Sequence, residues 1–343
     1  MHIMSALFLL IAFLILLALE LLYFQVARRY NIVDRPSRRG SSSHVTLRGG
    51  GVVFYFGALL AFVAGGFSYP FFFVGLTLVA TVSFIDDVRS LSPRLRLILQ
   101  TVAVLLLLVQ AVEPLVDMGR WSLAAFNAHQ WGIVTVYVLV GLVAVTGAVD
   151  VFNFMDGING ITGGYALTAL CALAVACGHT FTGDMAAYRE TMVQLLVVTM
   201  LADVVFCFFN FRNRARCFAG DVGSISIAFI ILFVLCSLSV YTEDVSWFAF
   251  LAVYGVDGCL TIAHRLMLRE DITTPHRKHA FQIMANELHM PHVVVSLLYM
   301  AMQVVVDVAY FCCPGYPTLL LSVVVLSLAY VLFMKKYYRL HQG

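Results

Sequence analysis

An all-α, polytopic integral membrane protein is the fold class this sequence predicts, on three observations. Apolar residues make up 62% of the 343 and charged residues only 12%, against about 45–50% and about 25% in a soluble domain. Eleven apolar runs recur along the whole chain, each close to the roughly 20 residues that cross a bilayer core. With the connecting loops assigned to alternating sides, 19 of the 21 Lys and Arg residues fall on one side, all but Arg120 and Arg189. The positive-inside rule makes that side cytoplasmic, with the N-terminus outside and the C-terminus inside. A miscount of one span would scramble the split, so the asymmetry also supports eleven.

The first run, 3–24, lacks the basic leader and small-residue cleavage site of a signal peptide and reads as a retained span. Runs 50–67 and 69–85 follow, the second ending on Asp86-Asp87. After 95–112 come 131–152 and 161–177, which flank the polar, glycine-punctuated octapeptide Asn153–Gly160. Run 191–209 carries Asp203, and 222–240 begins inside Gly-Asp-Val-Gly-Ser. Run 245–264 carries Asp257, 292–312 carries Asp307, and 317–334 closes the chain. Glu20, Asp150, Asp203, Asp257 and Asp307 lie within spans, where an ionisable group is costly and functional by default. Asp150, close to the cytoplasmic end, is a candidate member of the site. Asp203 and Asp257 read equally as lining a polar cavity or as structural hydrogen-bond partners, and for Glu20 and Asp307 a structural role is favoured. The eight Cys show no CxxC and no Cys/His zinc spacing, so neither a disulfide nor a metal–thiolate site is expected.

The residues fitted for chemistry all fall on the basic side. The cytoplasmic loops 25–49, 86–94, 153–160, 210–224 and 265–291 hold Ser43-His44 with Arg48-Gly49-Gly50-Gly51, then Asp86-Asp87, then Asn153, Asp156 and Asn159. Phe218 and Asp221 follow, and then Arg265, His276, Arg277, Lys278 and His279. Adjacent carboxylates repel and need a counter-charge, and hard oxygen ligands suit Mg²⁺, which takes one or two carboxylates plus substrate phosphates. Asp221 as a plain helix N-cap would explain the Asp but not the glycines on either side, which let a ligand approach the backbone. A helix start there also favours anions. Arg48 with three glycines resembles a phosphate nest, while the Arg265–His279 loop reads equally as a positive-inside anchor. Acidic clusters, cations and glycine-rich helix starts at a membrane surface suit Mg²⁺-dependent phosphoryl or phosphoglycosyl transfer. The runner-up is a transporter or flippase working through intramembrane carboxylates, which would place its charges near the midplane, usually on internal repeats.

These motifs resemble, in order from about Asp34 to Gln282, those of the polyprenyl-phosphate N-acetylhexosamine-1-phosphate transferases. The matching stretches are Asp34-Arg35-Pro36 with Ser43-His44 and Arg48–Gly51, Asp86-Asp87, Asn153–Gly157, Phe218–Ser224 and Pro275–His279. The resemblance implies one catalytic domain over 1–343 in the bacterial cytoplasmic membrane. Its substrates would be a UDP-N-acetylhexosamine and undecaprenyl phosphate, its cofactor Mg²⁺ or Mn²⁺, and its product UMP beside the lipid-linked sugar. It further implies Asp221 and Asp87 as metal ligands, with Asp86, Asp87 and His279 as catalytic residues. Ser43, His44, Arg48, Arg96, Asn153, Asp156, Asn159, Phe218, Arg265, His276 and Arg277 would bind substrate. No nucleic-acid partner is expected, and a homodimer is left open. Asn159 stands where the family usually has Asp, Leu47 where it has Pro, and Asn210 lies one residue too far from Phe218. The ending Ala280-Phe281-Gln282 is similar to the branch that starts O-antigen or capsule chains, rather than to the three-histidine loop of the peptidoglycan enzyme.

Overall fold

The computed structural model describes residues 5–35, 44–117, 128–271 and 276–337. Its helices are α1 (Ala6–Arg29), α2 (Val52–Ala64), α3 (Pro70–Val88), α4 (Pro93–Asp117), α5 (Ala128–Met155), α6 (Ile161–Thr180) and α7 (Ala186–Asn210). After them come α8 (Gly220–Thr242), α9 (Ala252–Met267), the one-turn α10 (Ala280–Gln282), α11 (His292–Cys312) and α12 (Tyr316–Tyr337). Two short strands, β1 (Val33–Asp34) and β2 (Thr46–Leu47), pair antiparallel between α1 and α2.

Among the described residues, ten stretches are long and apolar enough to cross a membrane, and α2, with 13 residues, is an additional shorter apolar helix. At 1.5 Å per residue α2 is about 20 Å long, short of the roughly 30 Å hydrocarbon core. The expected run 50–67 is thus trimmed at both ends. Gly49 in the left-handed region (φ +83°) turns the chain before it, and Gly65 with Gly66 (φ +70°) ends it. The alternation of sides survives, because the start of α2 and the end of α3 meet at one place, through Arg48 and Asp87. The two helices therefore run out and back.

α8 is the axis of the molecule. Its apolar residues lie on every side, which suits a helix enclosed by others, and 94% of its span is buried against 11% for α12. It packs on α2, α3, α4, α5 and α6. Gly51 and Gly223 permit the α2–α8 contact: a Cβ on Gly223 would lie 2.6 Å from the Gly51 Cα. The run expected at 245–264 is broken. Val245–Leu251 forms a 3₁₀ turn, and α9 starts only at Ala252. The first-turn N–H groups that such a start leaves open are taken by side chains: Val253 donates to Gln303 Oε1 (3.2 Å) and Tyr254 to the Tyr165 hydroxyl (3.3 Å). Gln303 Nε2 in turn donates to the Ala249 carbonyl (3.0 Å).

Candidate active site

Two loops distant in sequence run side by side to build the site. The Phe218 N–H donates to the Leu47 carbonyl (2.8 Å), while Gly50 and Gly51 donate to the carbonyls of Phe218 and Ala219 (2.9 and 3.1 Å). The Tyr23 hydroxyl anchors the Arg48 carbonyl at 2.5 Å. Arg48 is thereby carried to the start of α8, where Nε meets Asp87 Oδ1 at 2.6 Å and Nη2 meets Asp221 Oδ1 at 3.2 Å.

Asp87, from the end of α3, accepts the N–H of Asp221 on Oδ1 and that of Val222 on Oδ2, both at 3.0 Å. It is a cap for α8 supplied by another helix, where the open N–H groups and the helix dipole favour a negative charge. Gly220 makes room for it, since a Cβ there would lie 2.6 Å from Asp87 Oδ2. Asp86 turns the other way. Its Oδ1 accepts from the Leu91 N–H (2.6 Å) and its Oδ2 from Arg96 (2.8 Å), while the far nitrogen of Arg96 reaches Asp221 Oδ2 at 3.4 Å. Two arginines thus balance a cluster of carboxylates that would otherwise repel.

The octapeptide forms the opposite wall. Asn153 is still within the last turn of α5, where its Oδ1 accepts from Ser224 (2.9 Å). Asp156 accepts from Thr162 at 2.5 Å. It lines the cleft and is otherwise largely enclosed by protein. That enclosure, with the charges of Asp221 and Asp87 adding to it and the Thr162 hydrogen bond opposing, pushes it up to about 7. Asn159 donates its amide hydrogens to the carbonyls of Arg212 (2.9 Å) and Asn213 (3.2 Å), and Asn210 receives the Gly160 N–H at 2.8 Å. Between the walls lies a cleft of about 240 Å³ whose lining includes Arg48, Asn153, Asp156, Asn159, Phe218 and Asp221.

The described part of the fifth loop lies outside the lining of this cleft. Among the described residues, Arg265, His276, Arg277 and His279 do not line it. His279 is buried, with Nδ1 3.2 Å from Asp257 Oδ1, and Arg265 is buried with Nε 3.2 Å from Glu270. Arg277 pairs with Glu287 at 3.4 Å. Burial, with the neighbouring His279 and Arg265 adding to it, pushes the His276 imidazole down to about 3, so it is neutral at any physiological pH. The loop reaches the octapeptide through Phe281, which packs against Gly157. His44 is exposed at the edge of the β-ribbon, and Ser43 lies outside the described residues.

Three lining residues with polar side chains, Asp34, Asn210 and His292, are not among the site residues expected from the sequence. Asp34 belonged to a matching motif. Asn210 looked out of register, yet its amide bridges Gly160 and the Cys217 carbonyl (2.8 Å). For His292 the only signal is its place at the start of an apolar run that follows a basic loop.

Among the described residues no three His, Cys, Asp or Glu side chains converge as a ready-made metal site. Asp87 and Asp221 share one guanidinium, so the protein brings two carboxylates together. That donor set fits Mg²⁺ completed by phosphate and water oxygens.

A family model described as "Glycosyl transferase family 4" matches residues 69–239, about half of the chain. The "Probable undecaprenyl-phosphate N-acetylglucosaminyl 1-phosphate transferase" of Bacillus subtilis is 23% identical over 78% of this chain and 75% of its own length. The "Decaprenyl-phosphate N-acetylglucosaminephosphotransferase" of Mycobacterium leprae is 27% identical over 82% and 76%. The "Undecaprenyl-phosphate alpha-N-acetylglucosaminyl 1-phosphate transferase" of Yersinia pestis is 24% identical over 62% of this chain, which spans only 56% of that relative's length.

Proposed function

Because the chain belongs to glycosyl transferase family 4, we propose that it transfers an N-acetylhexosamine 1-phosphate from a UDP-sugar to undecaprenyl phosphate and releases UMP. The reaction takes place at the cytoplasmic face of the bacterial cytoplasmic membrane. The sugar is GlcNAc or a modified N-acetylhexosamine, and the product begins a cell-surface polysaccharide such as an O-antigen or capsule. The observation that carries this reading is the meeting of Arg48, Asn153, Asp156, Phe218 and Asp221, from three separate loops, at one polar cleft, with Asp87 of a fourth loop buried against Arg48 beside it. Collection at one end of the bundle favours an enzyme over a transporter. The mid-span carboxylate Asp257 has local donors in His279, Ala280, Tyr299 and Thr261.

Phosphoryl transfer depends mainly on positioning and charge neutralisation. An oxygen of the lipid phosphate attacks the β-phosphorus of the UDP-sugar. As that P–O bond forms, the bond to the bridging oxygen breaks and UMP departs with the electron pair. The attacking phosphate, with a second pKa near 6, is already largely ionised at neutral pH. Asp86, held by Arg96 and the Leu91 N–H, therefore serves as an orienter of Arg96 rather than a base. Arg48 and Arg96 neutralise the diphosphate. Asp221, with Asp87, would hold Mg²⁺, which supplies further charge neutralisation when bound.

A second cavity, of about 590 Å³, suits the lipid. It is apolar, lies between α5, α9 and α12, and includes Val151, Phe152, Tyr254 and Leu260 in its lining. Phe152 faces this groove and the next residue, Asn153, faces the polar cleft, so a polyprenyl tail in the groove leaves its phosphate at the cleft. The test is purified protein with Mg²⁺, a panel of UDP-N-acetylhexosamines and undecaprenyl phosphate. The expected result is UMP release that requires the lipid, with labelled sugar phosphate passing into the organic phase. No transfer from any of the panel overturns the proposal.

A further inference from the structure

The first turns of α11 grip the tip of the octapeptide by its backbone. The Asn159 N–H donates to His292 Nδ1 at 3.3 Å, and Ser296 Oγ donates to the Asn159 carbonyl at 2.9 Å. An imidazole that accepts at Nδ1 carries its proton on Nε2, and that N–H has no partner among the described residues while the ring lines the cleft. The Asn159 side chain is fixed in a complementary sense. Its amide hydrogens are committed to the carbonyls of Arg212 and Asn213, which leaves Oδ1 as an acceptor. An Asp at 159 could not make those two donations.

The cleft consequently has two chemically distinct ends. Arg48 and Asp221 make one of them charged, whereas Asn159, Asn210, His292 and Ile158 make the other neutral and hydrogen-bonding. A UDP-sugar has the same character, a charged diphosphate with uncharged groups on either side. Uracil is flat and presents an imide edge, a ring N–H beside a carbonyl oxygen. The Nε2–H of His292 complements that oxygen and Oδ1 of Asn159 complements that N–H, while Phe218 and Ile158 offer apolar surface for a planar base. Cytosine has an acceptor in place of the N–H and an amino group in place of the oxygen, so it is mismatched at both.

We propose that His292, held against Asn159, is a recognition residue for the uracil base of the donor nucleotide. This rests on the transferase reading above and adds a specificity-determining residue to it. The test is calorimetric binding of UMP, CMP, ribose 5-phosphate and a UDP-N-acetylhexosamine to the full-length protein in detergent with Mg²⁺. His292→Ala should weaken UMP roughly three- to tenfold, the range for one hydrogen bond, and leave ribose 5-phosphate unchanged, so that preference for UMP over CMP falls. His292→Gln, which keeps a neutral donor, should retain part of the preference, and it supplies the measurement if the alanine variant does not fold. Unchanged UMP binding, an equal loss with ribose 5-phosphate, or a loss confined to the UDP-sugar would each overturn the proposal. A wild-type protein that binds no UMP sinks the transferase reading itself, a result distinct from any failure of the variants.

Discussion

Asp87 is engaged on both oxygens, by Arg48 and by the first N–H groups of α8. A cap contributes about 0.5–2 kcal/mol and a hydrogen bond to a charged group about 1.5–3 kcal/mol. Asp87→Ala should therefore cost about 2–4 kcal/mol of stability as well as activity, read from denaturation in detergent. Asp221→Asn should behave otherwise. Its carboxylate meets the side chains of Arg48, Arg96 and Asp86 and caps no helix, so the variant should melt near wild type yet lose turnover, and wild-type turnover would remove Asp221 from the metal site. Asp156 gives a pH dependence. Its folded carboxyl titrates at about 7, well above the unfolded value, so between those values the folded state holds a proton that the unfolded chain has lost. Its contribution to stability is complete below about pH 4 and disappears as pH rises through about 7. The melting temperature of the metal-free protein should fall over that window, and Asp156→Asn should flatten the slope. Equal slopes in the two proteins would contradict this.

At the scale of elements, close backbone approach and helix breaks set the geometry. Gly223→Ala would drive a methyl into Gly51 and push α2 off α8, moving Arg48 with it. Activity should fall more steeply than secondary structure, as compared by turnover and circular dichroism. Gln303 bridges the joint between the 3₁₀ turn and α9. Gln303→Leu strips a partner from buried backbone groups, at about 1–3 kcal/mol for each group left unsatisfied, and should lower the melting temperature. The groove lined by α9 can be filled from within. Gly255 borders it with open space where a side chain would go, so Gly255→Trp should raise the KM for undecaprenyl phosphate and leave UMP binding intact.

For the whole molecule, the helix ends and starts that carry the site all meet at one end of the bundle, as the alternation of charged loops expects. A fluorescent reporter fused after Gly343 should mature inside the cell and a phosphatase fused there should stay inactive; the opposite result would invert the orientation. Composition and loop charge made the architecture legible, and the clustering of Arg48, Asp87, Asp156 and Asp221 followed from it. The short α2 was not legible, because apolar residues continue past the glycines that end its helix. Neither was the break before α9, since it depends on Gln303, a partner 50 residues away. The position of His279 and Arg265 outside the cleft lining was hidden for a similar reason: their partners Asp257 and Glu270 are set by packing, not by spacing. One junction described above reaches further than its size. Where Phe152 gives way to Asn153, α5 passes from lining the apolar groove to lining the polar cleft. On the transferase reading, a greasy molecule and a water-borne one each keep their own surroundings on the two sides of that helix.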